Sequence, residues 1–207
     1  MAAAWLALAP LALSACSGMG ESALPRPFAL SRAHVDEVSP RRDGAIDRFL
    51  PWAEEAAEMI VVDKIEKQLV LYRHGKPAKS YPVVLGRVPG RKLYESDRRT
   101  PSGLYRVTAK RPHAKYGRFL DLDYPNAEDV AQYRAALAGG LVPAKYRGSI
   151  HGPGGLVGIH GSDDENLNRL GIDWTLGCVS LANGDIEDLY REVDEGTAVL
   201  IRDDELP

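Results

Sequence analysis

Two neighbouring segments carry the most information about this chain. They are Ile159-His160-Gly161-Ser162 and, after a polar insert, Asp173-Trp174-Thr175-Leu176-Gly177-Cys178-Val179-Ser180-Leu181. Cys178 follows a glycine and precedes an apolar run that is typical of a strand. A cysteine at such a loop-to-strand junction can expose its sulfur together with its own backbone N–H, and the glycine lets a substrate backbone approach. From these residues alone, Cys178 is either a nucleophile or a small buried side chain.

A nucleophilic thiol needs a partner, because a free thiol with a pKa of about 8.5 is mostly protonated at neutral pH. Histidine is the usual partner. Of the five histidines, His151 and His160 each precede a glycine in the segment that leads to Cys178. The other three fall in the N-terminal segment, a hairpin turn and a loop: His34, His74 and His113. The alternative for a histidine that ends a strand is an ordinary hydrogen-bonded side chain.

At these residues the chain resembles the L,D-transpeptidase (YkuD-type) family, in which a His-Gly pair shortly precedes Ser/Thr-x-Gly-Cys-hydrophobic-Arg-hydrophobic. Here His160 precedes Cys178 by 18 positions, and Thr175 takes the Ser/Thr place. The stretch from Asp97 to Gly103 is similar to the family's Asp-x-x-Thr-Pro-x-Gly turn. The resemblance extends from Met59 to Arg202 in one unbroken order.

The resemblance implies a role for each matching position. Cys178 would be the nucleophile and His160 the general base and later the general acid, with the carbonyl of Gly161 orienting the imidazole. The N–H groups of Gly177 and Cys178 would form an oxyanion hole. Thr175 would line the site.

Other positions depart from the family pattern or flank it. Ser180 stands where the family usually carries arginine, which predicts altered electrostatics in the pocket. His151 is predicted to line the pocket, because the spacing of His160 matches the family better. Trp174 is either a wall for the substrate or a packed loop aromatic. Tyr116 and Tyr124 lie where the family often carries a lid, with ordinary strand packing as the default reading.

The wider pattern predicts a mainly β fold, an L,D-transpeptidase-type β-sandwich with short helical insertions. The first three strands are joined by links too short for crossover helices, which indicates an antiparallel meander. Helices are expected at Ala127 to Ala138 and from Gly184-Asp185 to about Val193, and a short one around Asp47 to Glu58. Strands are expected at 59–63, 68–72, 79–85, 104–109, 119–124, 157–160, 178–181 and 197–202.

The N-terminal segment is predicted to be a targeting signal followed by a tether, and not part of the folded domain. Residues 1–15 read as a secretory signal peptide, because the apolar run is shorter than the roughly 20 residues that span a bilayer. The run ends in Leu13-Ser14-Ala15-Cys16, which resembles a bacterial lipobox and implies cleavage before Cys16 and acylation of its thiol. A simple cleaved signal with an incidental cysteine is the alternative. Residues 16–45 are predicted to be a flexible tether and 46–207 the catalytic domain.

The balance of charged residues argues against a nucleic-acid partner. The chain carries 26 basic and 29 acidic residues, so it lacks the basic field of a nucleic-acid-binding protein. Its two cysteines have separate predicted roles and imply no disulfide framework. The resemblance implies an enzyme of the cell envelope, periplasmic and lipid-anchored, with the outer membrane favoured by Ser17. It implies no metal or organic cofactor, and the oligomeric state stays open.

The predicted reaction is acyl transfer on peptidoglycan stem tetrapeptides through a thioester at Cys178, which forms 3-3 cross-links or attaches a protein to the wall. In a second hypothesis water is the acceptor, and the protein is an L,D-carboxypeptidase or amidase. A third hypothesis is a lipoprotein that binds peptidoglycan without catalysis. A fourth is a zinc site built from His151, His160 and Cys178.

Overall fold

The computed structural model describes residues 57–149 and 152–203, and in them eight strands and three α-helices form. The described residues do not include the predicted signal peptide, the predicted tether with Cys16, or His151. They also exclude nearly all of the helix predicted around Asp47 to Glu58, and Glu58 itself begins a strand. The strands are β1 (Glu58–Asp63), β2 (Gln68–Arg73), β3 (Lys76–Pro82), β4 (Gly103–His113), β5 (Gly117–Leu122), β6 (Gly158–His160), β7 (Val179–Ser180) and β8 (Ala198–Arg202). The helices are α1 (Ala127–Ala138), α2 (Glu165–Arg169) and α3 (Asn183–Glu192), and a short 3₁₀ turn spans Ala144–Tyr146.

The eight strands form one mixed sheet in the order β3-β2-β1-β8-β4-β5-β6-β7. The antiparallel meander predicted for β1 to β3 is confirmed, and β8 adds to β1 in parallel. The long strand β4 belongs to both halves of the sheet. Its residues 103–106 pair with β8, and from Val107 onward it pairs with β5.

The largest of three hydrophobic clusters among the described residues draws on both halves of the sheet. Ile60 and Leu71 from the first half and Leu120 and Ile159 from the second half belong to one buried cluster and are fully inaccessible. Burying each such aliphatic side chain contributes about 1.5–3 kcal/mol to folding. Because one core is shared by both halves, the predicted β-sandwich with short helical insertions is confirmed.

Helix α1 matches the prediction residue for residue because both of its ends are encoded locally. The Asn126 side chain accepts from the N–H groups of Glu128 and Asp129, and the Asp129 carboxylate accepts the backbone N–H of Asn126. At the other end, the Gly139 N–H donates to the carbonyl of Ala135. Within the described part of the chain, the helices are too short and too polar to cross a membrane.

The third strand differs from its prediction. It spans Lys76–Pro82 rather than 79–85, because the chain leaves β2 after Pro82 and carries its apolar residues to the other end of the sheet. There Val84 forms an isolated antiparallel bridge with Ser180 of β7. The carbonyl of Leu85 accepts the N–H of Thr175 at 3.1 Å. The predicted third strand therefore ends by supporting the segment that contains Cys178.

Candidate active site

The pairing of β6 with β7 brings the two predicted catalytic residues to one place. The strands are parallel, with His160 opposite Ser180, and Cys178 lies two positions before Ser180. Cys178 directly precedes β7, so this register sets its backbone beside the strand that ends at His160, although 18 positions separate the two residues in the chain.

The thiol of Cys178 lies against the residues that lead into β6. It donates to the carbonyl of Leu156, with 3.6 Å between sulfur and oxygen, and a backbone hydrogen bond from Gly158 favours the thiolate. Gly158 is required here, because a Cβ at this position would lie 2.1 Å from the ring of Phe119. Cys178 is half-buried and not part of a disulfide.

The hydrogen bond at Nδ1 defines the tautomer of His160. This nitrogen lies 2.6 Å from the carbonyl oxygen of Gly161, which can only accept, so Nδ1 carries the proton. In the neutral ring the lone pair is then on Nε2, the nitrogen available as a base. The carbonyl of Gly161 therefore holds the ring as the family resemblance implied.

Aromatic rings surround the imidazole, which is only 2% exposed. Tyr116 stacks on it at 4.2 Å between ring centroids and Phe119 at 5.2 Å, each inclined by 19°. Trp174 meets the same ring edge-on at 5.8 Å. Tyr116 comes from the β4–β5 hairpin, the region where the sequence suggested a lid, and Tyr124 instead packs in the core.

Burial sets the protonation state of both groups. It lowers the pKa of His160 to about 4, partly opposed by the hydrogen bond to Gly161, so the ring is neutral at pH 7. Burial also raises the pKa of Cys178 to about 11, opposed by the Gly158 hydrogen bond and by the nearby charge of Lys92. At neutral pH these shifts favour a neutral thiol and a neutral imidazole.

The loop before Cys178 is held by Thr175. Its hydroxyl donates to the carbonyl of Cys178 at 2.7 Å and accepts the N–H of Gly177 at 3.1 Å. Thr175 is buried, and its predicted role in lining the site stays a prediction. The Gly177 N–H, predicted as an oxyanion donor, has a partner here that an oxyanion would have to displace.

Gly177 itself is dictated by the backbone. It has φ +144°, and a Cβ on it would lie 2.9 Å from the carbonyl oxygen of Arg99. The loop that contains Arg99 therefore packs directly against the segment that contains Cys178.

Ser180 and Trp174, two further residues singled out from sequence, join one hydrogen-bonded chain. Ser180 is fully buried, and its hydroxyl donates to the carbonyl of Gly161 at 3.0 Å and accepts from Nδ2 of Asn168 at 3.1 Å. The indole Nε1 of half-buried Trp174 donates to Oδ1 of Asn168 at 3.0 Å. Ser180 thus bonds to the same carbonyl that holds the imidazole of His160.

Sequence reasoning missed Asn168 and an ion pair formed by Lys92 and Asp97. Nζ of Lys92 lies 2.8 Å from Oδ1 of Asp97, and both side chains are nearly inaccessible. A buried pair of this kind leaves little trace in sequence, although Asp97 opens the turn that carried the family resemblance. Asn168 lies on α2, inside the segment taken as a polar insert.

The described residues contain no group of three or more His, Cys, Asp or Glu side chains able to hold a metal ion. His151, the third ligand of the zinc hypothesis and a predicted pocket residue, lies outside them. The structure thus brings together Cys178, His160, Gly161 and Ser180 with the Thr175–Gly177 loop and Trp174.

A protein-family model described as the L,D-transpeptidase catalytic domain (YkuD) matches residues 57–201. The chain belongs to this family, whose members act on peptidoglycan stem peptides in the cell envelope. No curated protein matches the chain.

Solved structures show the same fold. Pgp2, a helical cell shape determining protein from Campylobacter jejuni, is 24% identical with a TM-score of 0.54, covering 77% of this chain and 56% of its own. A lysine-to-alanine variant of Pgp2 is 25% identical with a TM-score of 0.52, covering 72% and 48%. A cysteine-to-serine variant of the Enterococcus faecium L,D-transpeptidase is 18% identical with a TM-score of 0.45, covering 71% and 50%. This chain spans about half the length of these proteins.

Proposed function

We propose that this domain is a peptidoglycan L,D-transpeptidase in which Cys178 is the nucleophile and His160 the general base. The observation that carries the proposal is the parallel register of β6 and β7, which pairs His160 with Ser180, two positions after Cys178. The bond from Nδ1 of His160 to Gly161 supports it, because it leaves Nε2 free to take a proton.

The first half of the reaction forms a thioester. The thiol of Cys178 gives its proton to Nε2 of His160 as the sulfur attacks the carbonyl carbon before the terminal D-alanine of a stem tetrapeptide. The carbonyl oxygen becomes an oxyanion, for which the N–H of Cys178 is the proposed donor. The carbon–nitrogen bond then breaks, and D-alanine leaves with the proton that His160 returns to its nitrogen.

The second half releases the acyl group. The side-chain amine of a second stem peptide attacks the thioester carbonyl and loses a proton to His160, and Cys178 regains a thiol. The product is a 3-3 cross-link, or a wall-attached protein when the amine belongs to a protein. These steps need no metal or organic cofactor, since the nucleophile and base are side chains of the domain.

Hydrolysis is the second candidate, and Ser180 is the observation that favours it. The family's usual arginine is replaced by a small, uncharged and fully buried side chain, so this position brings no cation to the site. Water in place of the amine would make the protein an L,D-carboxypeptidase or an amidase acting on the same bonds.

The proposal also places the enzyme at its substrate. Acylation of Cys16 would anchor the domain in the periplasm, with the outer membrane as the expected site, and the following residues would act as the tether. Detergent-dependent release from membranes, lost in a Cys16→Ala variant, tests the anchor. Because Pgp2 is described as a determinant of helical cell shape, we include cell shape among the expected effects of deletion.

The deciding experiment is incubation of the purified protein with tetrapeptide muropeptides, followed by mass spectrometry. Cross-linked dimers indicate transfer, and shortened monomers indicate hydrolysis. Cys178→Ala and His160→Gln are expected to abolish either product, while His74→Asn, in the exposed β2–β3 turn, is the matched control and should behave as wild type.

Labelling separates catalysis from simple binding. A thiol-reactive carbapenem should form an adduct with the wild type and not with Cys178→Ala. A protein that binds peptidoglycan, forms no adduct and yields no product would contradict the enzymatic proposal and leave the non-catalytic lipoprotein.

A further inference from the structure

A continuous chain of hydrogen bonds runs behind the imidazole. Trp174 Nε1 meets Asn168 Oδ1 at 3.0 Å, Asn168 Nδ2 meets Ser180 Oγ at 3.1 Å, and Ser180 Oγ meets the Gly161 carbonyl at 3.0 Å. The same carbonyl accepts the Nδ1 proton of His160. The whole chain is enclosed, since Asn168 and Ser180 are both buried.

The direction of every bond in this chain follows from its first member. An indole N–H can only donate, so the atom of Asn168 that faces Trp174 must be its carbonyl oxygen. The amide nitrogen therefore faces Ser180 and donates to the hydroxyl oxygen. The hydroxyl proton then points at the carbonyl of Gly161 and holds the orientation of this oxygen, whose second lone pair accepts from Nδ1 of His160.

Helix α2 delivers the amide to this position. Asp164 caps the helix by accepting the N–H of Asn166, and one turn brings Asn168 inward while Asn166 stays exposed. Trp174 is held at the same time beside the imidazole, with 5.8 Å between ring centroids. One buried side chain thus connects the aromatic wall of the site to the backbone that orients the base.

We propose that Asn168 is a positioning residue that, through Ser180 and the Gly161 carbonyl, holds His160 with its proton on Nδ1. The role rests on the proposed function of His160 as the base. It gives a purpose to the serine that replaces the family's arginine, because this serine completes the chain from Asn168 to Gly161.

The sharpest test is Asn168→Asp, which keeps the shape of the side chain and removes its donor. A carboxylate can still accept from Trp174, but it would draw the Ser180 proton away from Gly161. Asn166→Asp is the matched control, since it makes the same charge change on the exposed face of the same helix. Ser180→Ala is the second variant, because it removes the hydroxyl from a site that alanine fills without strain.

Each variant of the chain should lower kcat by about tenfold, the effect of one lost hydrogen bond, with KM within about twofold of the wild type. The double variant Asn168→Asp/Ser180→Ala should be no worse than either single variant, because all act on one path. In ¹⁵N NMR spectra of the resting protein, the His160 ring should change from one tautomer to a mixture. Asn166→Asp should leave all three measurements unchanged.

The proposal is overturned if Asn168→Asp and Ser180→Ala keep the tautomer and kcat of the wild type, or if kcat falls only with the folded fraction. A wild-type protein that is inactive on stem peptides would refute the proposed function instead. In that case the tautomer of His160, which is measured without substrate, still decides whether Asn168 orients the ring.

Discussion

The ammonium of Lys92 lies 2.8 Å from the Oδ1 of Asp97, and both side chains are nearly inaccessible to solvent. The same Nζ is 4.0 Å from where a Cβ of Gly177 would be. Asp97 accepts three backbone N–H groups as well, from Leu93, Tyr94 and Arg99. This one carboxylate therefore organises the segment against which Gly177 packs.

Removing that charge should be costly for stability. Asp97→Asn leaves the ammonium of Lys92 buried without its counter-ion, and we expect a loss of about 3–5 kcal/mol in the free energy of unfolding. The control is Asp163→Asn, which breaks the solvent-exposed pair with Lys115 and should leave the free energy of unfolding nearly unchanged. Urea unfolding measures both, and equal effects would contradict a structural role for the buried pair.

Burial of His160 should make stability depend on pH. Its pKa is about 4 when folded and about 6.5 when unfolded, so the unfolded chain binds the extra proton between these values. The stabilisation is complete above about pH 6.5 and is lost as the pH falls toward 4, in total about 3 kcal/mol. The difference between wild type and His160→Gln in urea titrations at several pH values isolates this contribution, and parallel pH dependences would refute it.

The raised pKa of Cys178 predicts that its thiol reacts slowly with alkylating reagents at neutral pH. Because burial raises the pKa of Cys178 to about 11, its alkylation by iodoacetamide should be slow at pH 7 and rise steadily toward that value. A thiolate–imidazolium pair would instead give a plateau near neutrality. The measurement is the alkylation rate against pH, with free cysteine as reference.

Gly161 is expected to tolerate no side chain. A Cβ there would lie 2.4 Å from Oδ1 of Asn183 and 2.5 Å from the carbonyl of Tyr116. Gly161→Ala should therefore destabilise the domain by about 1–3 kcal/mol and disturb the carbonyl that holds His160. Gly184→Ala, on α3 with open space around it, should be neutral or slightly stabilising in the same thermal unfolding experiment.

Tyr116 shields the imidazole, so its removal should change the titration of His160. Tyr116→Ala opens one face of the ring to water, and the pKa of His160 should rise from about 4 toward its ordinary value. Tyr116→Phe keeps the stacked ring and should leave the pKa near that of the wild type. NMR titration of the His160 ring distinguishes the two, and an unchanged pKa in Tyr116→Ala would show that the tyrosine does not shield the base.

The parts of the fold with strong local signals could be predicted. Helix α1 has the predicted bounds because its composition favours a helix and glycine follows it, and β1 and β2 were predicted because β-branched and apolar residues fill them. The third strand was displaced, since an apolar run shows that a segment is buried without showing which neighbour it pairs with. Val84 meets Ser180, almost one hundred positions away, and that partner is a property of the whole sheet.

Some residues of the candidate site could likewise be predicted from the sequence, and others could not. Cys178 and His160 could be proposed because their residue types and spacing carry chemical meaning. Asn168 could not, because a five-residue polar helix has too little periodicity to reveal which of its side chains points inward. Tyr116 likewise reaches His160 only through the hairpin between β4 and β5.

The bridge between Val84 and Ser180 also has a consequence for solubility. The sheet begins with β3 and ends with β7. The bridge joins the segment that follows β3 to β7, at the opposite edge of the sheet. Open strand edges are templates for pairing with other molecules. Ser180 lies two residues from Cys178, so substitutions that loosen this segment should expose the edge of β7 and promote aggregation along with inactivity.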